Sequence, residues 1–252
     1  MQCELVFKDL CIFIKEQIQK NKKNGVILGL SGGVDSALVA TLCKKALDKD
    51  VFALLMPTQY SSKEHLSDAL MLCNDLKIEY KIISIQEILD AFIKQSQNID
   101  KIRIGNFAAR IRMSLLYDYS VLKNSLVVGT SNKSELLLGY GTIYGDLACA
   151  FNPIGDLYKT QVYELAKFLN LHENFIKKSP SADLWENQSD EKELGFIYEQ
   201  IDLGLKAIEN DDKQTMDKLD ENLLKMLKTR INNNAFKRSM PKIANLMEFK
   251  SE

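Results

Sequence analysis

Short apolar runs alternate with stretches of helical periodicity through the first half of this 252-residue chain. Four such runs are expected to be strands: Val26–Leu30, Val51–Met56, Tyr80–Ser84 and Ser125–Val128. Strands joined through helices pair in parallel by right-handed crossovers, and runs that are almost wholly apolar indicate burial on both faces. The pattern predicts an α/β fold with a doubly wound, mainly parallel sheet and helices on both faces.

Helical spacing of apolar residues begins near Val6 and recurs along the chain. Further helices are expected after the first strand and over about residues 62–76, 104–122, 160–170, 191–208 and 216–231. The stretch Gly139–Asp156 contains five glycines or prolines, which is typical of a functional loop region. No domain boundary is visible, so we expect one domain over residues 1–252 with a helical C-terminal section from about residue 191.

Composition excludes several classes of protein. With 33 Lys and Arg against 34 Asp and Glu, the net charge of -1 argues against a protein that mainly coats nucleic acid or anionic lipid. The five cysteines never occur as C-x-x-C, so neither a disulfide framework nor a zinc ribbon is indicated. The N-terminus is unlike a secretory signal, and no apolar run reaches the roughly 20 residues that span a bilayer. We expect a soluble, cytoplasmic protein.

A glycine-rich turn, Gly29-Leu-Ser-Gly-Gly-Val-Asp-Ser36, lies between the first strand and its helix. Glycines there allow successive N–H groups to form an anion-binding nest at a helix N-terminus. The lysine of a Walker A loop and the G-x-G-x-x-G pattern are both absent. A carboxylate at Asp35 would repel phosphate unless a cation such as Mg²⁺ lay between them. Alternatively, Asp35 is a helix N-terminal charge and the glycines form a tight turn.

This turn resembles the loop of the ATP pyrophosphatases, which cleave ATP between the α and β phosphates. Further along, an ordered series of segments resembles the ammonia-dependent NAD synthetase family. The segments are Asn106-Phe-Ala-Ala-Arg-Ile-Arg-Met113, Gly129-Thr-Ser-Asn-Lys-Ser-Glu135, Tyr144-Gly-Asp146, Asn152-Pro153 with Lys159, Ser179-Pro-Ser-Ala-Asp-Leu184 and Gln188-Ser-Asp-Glu191.

The resemblance implies an adenine nucleotide alpha hydrolase-like fold and an ATP- and Mg²⁺-dependent reaction, the last step of NAD biosynthesis. Deamido-NAD would be adenylated on its nicotinic acid carboxylate and then amidated by ammonia, giving NAD, AMP and pyrophosphate. It also implies a homodimer with deamido-NAD near the interface, for which the helix Ile104–Leu122 is the candidate element. Free ammonia is the expected donor, because no amidase domain fits beside the synthetase in this length and no cysteine and histidine show amidase spacing.

By the same resemblance, the ATP contacts fall on the turn and on three later residues. They are Gly29, Leu30, Ser31, Gly32, Gly33, Val34, Asp35, Ser36, Thr130, Lys159 and Ser181. Asp35 and Lys159 become the catalytic residues, with Lys159 offsetting charge as pyrophosphate departs. Asp35 and Glu135 become the Mg²⁺ ligands. Taken without the family, Glu135 early in a helix is favoured by the macrodipole, and Lys159 before a helix is a solvated charge.

Thr130 and Ser181 have specific expectations attached. Thr130 follows the fourth strand, where it is expected to cap the next helix as well as to contact ATP. Ser181 stands where a threonine is frequent in relatives and keeps the hydroxyl group. The segment from Ser179 to Glu191 around it resembles a mobile cover that would exclude water from an acyl adenylate.

The deamido-NAD side is represented by Arg110 and Lys237. A guanidinium at Arg110 suits a phosphate or carboxylate, although a surface charge on a helix is the simpler alternative. The stretch Phe236-Lys237-Arg238 stands where relatives often have His-Lys, so Lys237 is a candidate contact to the substrate. Two departures weaken this half, because Ile143 replaces a frequent lysine and Ala150 replaces a frequent aspartate. His65 and His172 fit no triad or metal spacing and are expected to be structural.

Two rival functions remain open from sequence. One is another ATP pyrophosphatase that amidates a purine or modifies a tRNA base, although the chain shows neither basic clustering nor paired cysteines. The other is a regulatory module that binds ATP without turnover. A second acidic residue for a metal, Glu135 beside Asp35, argues against simple binding. Pyrophosphate release that requires deamido-NAD separates the synthetase from both.

Overall fold

The computed structural model describes residues 1–178, 180 and 189–245. Four strands form one sheet in the order β3-β2-β1-β4, and every neighbouring pair is parallel. The strands are β1 Gly25–Gly29, β2 Val51–Leu55, β3 Glu79–Ile82 and β4 Ser125–Val127. The four strand predictions and the parallel sheet are confirmed. One expectation is wrong: β3 is a solvent-exposed edge strand along all its residues, so only the inner strands are buried on both faces.

Twelve α-helices and one 3₁₀ turn occur in the described part of the chain. They are α1 Cys3–Lys20, α2 Val34–Leu47, α3 Lys63–Leu76, α4 Gln86–Gln95, α5 Lys101–Leu122, α6 Lys133–Leu138, α7 Lys159–Phe168, α8 Glu173–Lys177, α9 Asp190–Leu194, α10 Tyr198–Glu209, α11 Lys213–Met216, α12 Glu221–Asn233 and the 3₁₀ turn Ala235–Arg238. None of these helices has the length and apolarity needed to cross a membrane.

The sheet separates two apolar cores. Alternate residues of a strand point to opposite faces, so Val26 and Leu28 of β1 join the core beneath α1, α2, α3 and α7. Ile27 between them joins the other core, beneath α4 and α5. Helices therefore cover both faces, as the alternation of strands and helices predicts.

The strand order places a crevice beside the first strand. From β1 the chain adds β2 and then β3 on one side, and it returns through α4 and α5 to set β4 on the other side of β1. In open α/β sheets, ligands bind outside the carboxyl ends of strands where the order reverses. The glycine-rich turn after β1 and the segment after β4 both lie at this point.

Local capping accounts for the differences in helix bounds. Helix α5 begins at Lys101, earlier than the expected Ile104, because the side chain of Asp100 accepts a hydrogen bond from the Arg103 amide at 2.8 Å. The helix predicted over 191–208 is two helices, α9 and α10, because Gly195 has a φ of +79° and ends the first. The helix predicted over 216–231 is α12 and starts later than expected, at Glu221, because Asp220 caps it there.

Helices α9, α10 and α12 pack with α6 around a third apolar cluster that includes Leu138, Tyr198, Ile201 and Leu227. Through this cluster the C-terminal helices pack against the side of the crevice that carries α6 and α7. The segment between those two helices, residues 139–158, contains neither helix nor strand, as the run of glycines predicts.

Candidate active site

The turn between β1 and α2 requires glycine at its centre. Gly32 has a φ of +86°, and a Cβ added there would lie 2.1 Å from the carbonyl oxygen of His65. This close approach leaves no room for a side chain. The turn is also braced by its own hydroxyls, because Ser36 Oγ donates to the Gly33 carbonyl at 3.1 Å.

The same hydroxyls hold the amides that the sequence predicts for phosphate. The Gly33 amide donates to Ser31 Oγ, and the Ser31 amide donates to Ser36 Oγ, each at 3.3 Å. Both bonds are long, so an anion that offers better acceptors can replace them. Gly33 offers no side chain to cap α2, which leaves the first amides of that helix facing an incoming anion.

Three charged side chains meet in front of this turn. The ammonium of Lys159 lies 2.5 Å from Asp35 Oδ2 and 3.2 Å from Glu135 Oε1. Only 3% of the Lys159 side chain is exposed, against 17% for Asp35 and 15% for Glu135. Asn132 donates from Nδ2 to Asp35 Oδ1 at 2.9 Å. The three residues that the sequence marks as catalytic or metal-ligating are therefore adjacent and largely buried.

Each of these charges comes from the first turn of a helix. Asp35 lies in the first turn of α2, Glu135 in that of α6, and Lys159 is the first residue of α7. Helix N-termini carry partial positive charge, so their convergence favours anions in the space between them.

Helix α6 owes its start to a capping box. Asn132 Oδ1 accepts from the Glu135 amide at 3.0 Å, and the Asn132 amide donates to Glu135 Oε2 at 3.3 Å. The expectation that Thr130 caps this helix is therefore wrong. Thr130 instead lines the cavity described below.

Electrostatics at this cluster are dominated by burial and mutual charge. Burial lowers the pKa of Lys159, but Asp35 and Glu135 outweigh it, so the pKa is raised above its ordinary value and the ammonium stays charged. Burial raises the pKa of Glu135; Lys159 opposes this, while Asp35 and Asp190 add to it. Asp190 is itself buried, and its Oδ1 has no hydrogen-bond partner among the described residues.

The pair Asp35 and Glu135 fits a divalent cation. Their oxygens already share one cation, the Lys159 ammonium, and hard carboxylate oxygens are what Mg²⁺ prefers. Among the described residues no group of three or more histidine, cysteine, aspartate or glutamate side chains is arranged for a metal. Mg²⁺ commonly keeps several waters and binds protein through one or two carboxylates together with substrate phosphates, so two ligands suffice.

A cavity of about 730 Å³ opens from the cluster. Its described lining includes the turn, the ends of β2 and β4, one side of α5, and part of the segment after α6. Its lining combines apolar side chains such as Leu54, Met113 and Leu116 with the charged Asp35, Glu135 and Lys159. This size and mixture suit a ligand with a flat apolar group and a charged chain.

The residues expected on the deamido-NAD side are placed differently. Arg110 is not among the described residues that line the cavity, and its Nε donates to the carbonyl of Ile143 at 3.3 Å. Lys237 does line the cavity, but its ammonium donates to the carbonyls of Gly139 at 2.8 Å and Gly141 at 2.9 Å. Ser181 and most of the expected cover lie outside the described residues.

The sequence prediction missed several residues of the site. Asn132 received no role of its own within the Gly129–Glu135 segment, although the spacing Asn132-x-x-Glu135 is a recognisable capping signal. Asp190 lies in the Gln188–Glu191 segment that resembles the family, but it received no role of its own, and nothing in its local pattern indicates burial. Both histidines were expected to be structural. His172 Nδ1 accepts from the Asn174 amide at 3.3 Å and caps α8, whereas His65 lines the cavity.

Comparison with known proteins decides the family. The model of the NAD synthase family matches residues 6–241. The chain belongs to the NAD synthase family. It is similar to the NH(3)-dependent NAD(+) synthetase of Campylobacter jejuni, with 68% identity over 243 residues that cover 96% of this chain and 99% of that relative.

Solved structures agree with this membership. The NH3-dependent NAD synthetase from Campylobacter jejuni, in complex with the nitrate ion, matches with a TM-score of 0.87 and 62% identity over 97% of this chain and 100% of that one. The NMN synthetase from Francisella tularensis matches with a TM-score of 0.89 and 34% identity over 97% and 99% of the two chains. The same fold thus occurs in a protein named for NAD synthesis and in one named for NMN synthesis.

Proposed function

We propose that this protein is an ammonia-dependent NAD synthetase, which uses ATP and ammonia to amidate deamido-NAD. The observation that carries the proposal is the convergence of Lys159, Asp35 and Glu135 in front of the glycine-rich turn. It occurs in a chain that is 68% identical to a relative with that name. A module that only binds ATP needs no buried cation placed between two carboxylates.

The chemistry explains why such a site is needed. A carboxylate resists attack by ammonia because it is anionic and offers a poor leaving group. In the proposed first step, the carboxylate oxygen of deamido-NAD bonds to the α-phosphorus of ATP and the bond to the β-phosphate oxygen breaks, releasing pyrophosphate. In the second, ammonia attacks the carbonyl carbon, the bond to AMP breaks, and the nitrogen loses a proton.

The protein's share of this work is to hold and neutralise charge. The amides of Ser31 and Gly33 and the start of α2 face the phosphates, and the Lys159 ammonium balances negative charge that accumulates on departing pyrophosphate. Asp35 and Glu135 would hold Mg²⁺, which supplies electrostatic stabilisation of the phosphate oxygens when bound. For both carboxylates to bind it, the Lys159 ammonium must leave the position it now shares between them.

The remaining contacts form part of the same proposal. ATP would contact the turn residues, Thr130 and Ser181, with Lys159 on the phosphates. Deamido-NAD would contact Arg110 and Lys237. Because Arg110 lies outside the described cavity lining, its contact requires deamido-NAD to extend beyond that cavity along α5.

We also propose a homodimer, one domain over the whole chain, and residence in the cytoplasm. The end of α5 supports the dimer, because Val121 and Leu122 are apolar and 81% and 71% exposed. The family match over residues 6–241 supports one domain. Five cysteines without disulfide bonds support a reducing compartment. Sedimentation equilibrium tests the dimer directly, and a monomer at all concentrations would contradict it.

The function is tested by following AMP and pyrophosphate from labelled ATP. Both products should appear with deamido-NAD and ammonium present, and they should be absent when deamido-NAD is omitted. Release of ADP, or no turnover with the complete mixture, would contradict the proposal. Glutamine in place of ammonium tests the donor and should support little amide formation.

A second acceptor has a specific observation behind it. The similarity to a protein named NMN synthetase, with a TM-score of 0.89, makes the acid mononucleotide the natural competitor. The ratio of kcat/KM values for deamido-NAD and for nicotinic acid mononucleotide measures the preference. We expect deamido-NAD to be the better acceptor, since the relative named for NAD is 62% identical and the one named for NMN is 34% identical.

A further inference from the structure

Two polar side chains behind the cavity wall connect the helices that carry Lys159 and Glu135. Ser134 is fully buried and belongs to α6, and Asp202 is 1% exposed and belongs to α10. Among the described residues that line the cavity, neither appears. They cannot touch a ligand there without rearrangement, so any contribution to the reaction must pass through other residues.

Their hydrogen bonds are directed at the first two residues of α7. The hydroxyl of Ser134 donates to Asp202 Oδ1 at 2.5 Å and accepts from the Lys159 amide at 3.0 Å. Asp202 Oδ2 accepts from the Thr160 amide at 2.8 Å. Ser134 thereby holds the backbone of Lys159, and Asp202 holds the backbone of the next residue, Thr160.

This arrangement holds more than the start of one helix. Ser134 precedes Glu135 in α6, so the same hydroxyl that receives the Lys159 amide also fixes the backbone beside the second carboxylate. Asp202 then ties both helices to α10. Three helices distant in sequence are joined within one turn of the two charges that meet at 3.2 Å in the cavity.

Stability alone gives a weak reason for a carboxylate at this position. Burying a carboxylate is costly, and here burial raises the pKa of Asp202, with Ser134 and the Thr160 amide partly opposing this. Helix starts are normally capped by a local Ser, Thr, Asn or Asp at far lower cost. Here the acceptor comes from another helix, 42 residues further along the chain.

We infer that Ser134 and Asp202 are positioning residues that fix the Lys159 backbone, and with it the reach of its ammonium toward Asp35, Glu135 and the departing pyrophosphate. The inference rests on the proposed function. Because the Lys159 side chain must leave the shared position when a metal binds, a rigid backbone restricts that movement to the side chain. Misplacement by about 1 Å at a catalytic group can cost about 100-fold in rate.

The test uses Asp202→Asn and Ser134→Ala in the full chain, with kcat and KM measured for ATP and deamido-NAD. Asp202→Asn keeps the shape but presents a donor where the hydroxyl or the Thr160 amide needs an acceptor. Ser134→Ala deletes one oxygen and so disturbs folding least. We expect kcat to fall about 10- to 100-fold in both, with KM for deamido-NAD within about threefold of wild type.

Asp212→Asn is the matched control. The Asp212 carboxylate caps exposed α11, where it accepts from the Thr215 amide at 3.1 Å and from the Thr215 hydroxyl at 2.6 Å. Asp212→Asn therefore also presents a donor where one of two donors needs an acceptor, but away from the cavity. It should retain wild-type kcat. Urea denaturation of each variant reports how much of any loss comes from a smaller folded fraction.

A double-mutant cycle with Lys159→Ala separates positioning from general damage. If Asp202 acts through Lys159, adding Asp202→Asn to Lys159→Ala should cost little further rate in single-turnover adenylation, while its effect on unfolding persists. Wild-type kcat in both single variants, or an undiminished loss in the Lys159→Ala background, would overturn the inference. Failure of the wild-type protein to form AMP with deamido-NAD would instead refute the proposed function.

Discussion

Two of the lysines that line the cavity, Lys159 and Lys237, make opposite kinds of contact. The ammonium of Lys159 lies between the carboxylates of Asp35 and Glu135, which raise its pKa despite burial. The ammonium of Lys237 faces the main-chain carbonyls of Gly139 and Gly141, and burial lowers its pKa. The first lysine belongs to a cluster of charges on helix starts, and the second braces a loop.

Arg110 repeats the second pattern, since its guanidinium is bonded to the carbonyl of Ile143. On the phosphate side, charged groups are fixed by strand ends and helix starts and face one another. On the other side, cations donate hydrogen bonds to the carbonyls of Gly139, Gly141 and Ile143 in the irregular segment 139–158. A cation on this side can therefore hold the loop or contact the substrate, and substitutions distinguish these two roles.

The largest effect is expected for Asp35→Ala. Loss of one of the two metal-binding carboxylates should reduce deamido-NAD-dependent pyrophosphate release by about 10²- to 10³-fold, or about 3 to 4 kcal/mol. The fold should survive because Lys159 keeps Glu135. The control is Asp9→Ala, an exposed aspartate of α1. Full turnover by Asp35→Ala would remove Asp35 from the catalytic role.

Lys159→Met should separate metal binding from turnover. Pyrophosphate release should fall about 100-fold, whereas the affinity for Mn²⁺, used as a probe for Mg²⁺, should rise about tenfold because the competing ammonium is gone. Electron paramagnetic resonance of free Mn²⁺ measures this affinity. Lys167→Met, on the exposed face of α7, is the control. Weaker Mn²⁺ binding in Lys159→Met would show that the two carboxylates do not form the metal site.

Arg110→Ala tests whether a cation that holds the loop also meets the substrate. A charge-assisted contact to deamido-NAD is worth about 1.5–3 kcal/mol, so KM for deamido-NAD should rise about 10- to 100-fold with little change in KM for ATP. Arg103→Ala is the matched control, because Arg103 lies on the same helix and also donates to main-chain carbonyls, those of Gln97 and Asn98. Equal KM values for the two variants would confine Arg110 to the loop.

Lys237→Met should reveal the bracing role as a loss of stability. Removing the donor to two carbonyls should lower the free energy of unfolding by about 2 kcal/mol, as measured by urea denaturation. Lys242→Met, in the exposed segment that follows, should leave it unchanged. An unaltered unfolding free energy for Lys237→Met would mean that the loop does not depend on this ammonium.

The smallest effect concerns the proton affinity of the two lysines. Only the neutral amine reacts with acetic anhydride, and a lowered pKa means that the amine becomes neutral at lower pH. Lys237 should therefore reach half-maximal reactivity below pH 10.5 and Lys159 above it. Mass spectrometry of trace-labelled protein gives both midpoints, with the denatured chain as reference. The reverse order would contradict the contrast between the two sites.

The fold and the phosphate side were predictable for the same physical reason. Strand and helix periods are local, and the residues after β1 and β4 must meet once the strands pair in parallel. The contact of Lys159 with Asp35 and Glu135 then follows from three helix starts at one edge of the sheet, although their roles in the reaction stay predictions. The turn at Gly32 could be predicted from sequence alone, because glycine readily adopts backbone angles that other residues avoid.

What the sequence could not give depends on packing between distant parts of the chain. Gly195 ends α9 and Asp220 caps the start of α12. Both are local signals, but a continuous helical spacing of apolar residues concealed them. Asp202 looks like an ordinary polar position of a helix, and only the packing of α10 against α6 and α7 buries it. Asp190 is buried where α9 meets Tyr198 of α10. The contacts of Arg110 and Lys237 could not be predicted, because the carbonyls of the irregular segment compete with the substrate for these cations. That competition depends on the path of the loop.

The sequence separation within the charge cluster has a consequence for biosynthesis. Asp35 precedes Lys159 by 124 positions, and the Asp202 support follows later still. A growing chain on the ribosome therefore exposes its glycine turn long before the balancing ammonium and its brace are translated. We therefore expect tight capture of nucleotide only after α10 has emerged, and little retention of ATP by shorter nascent fragments.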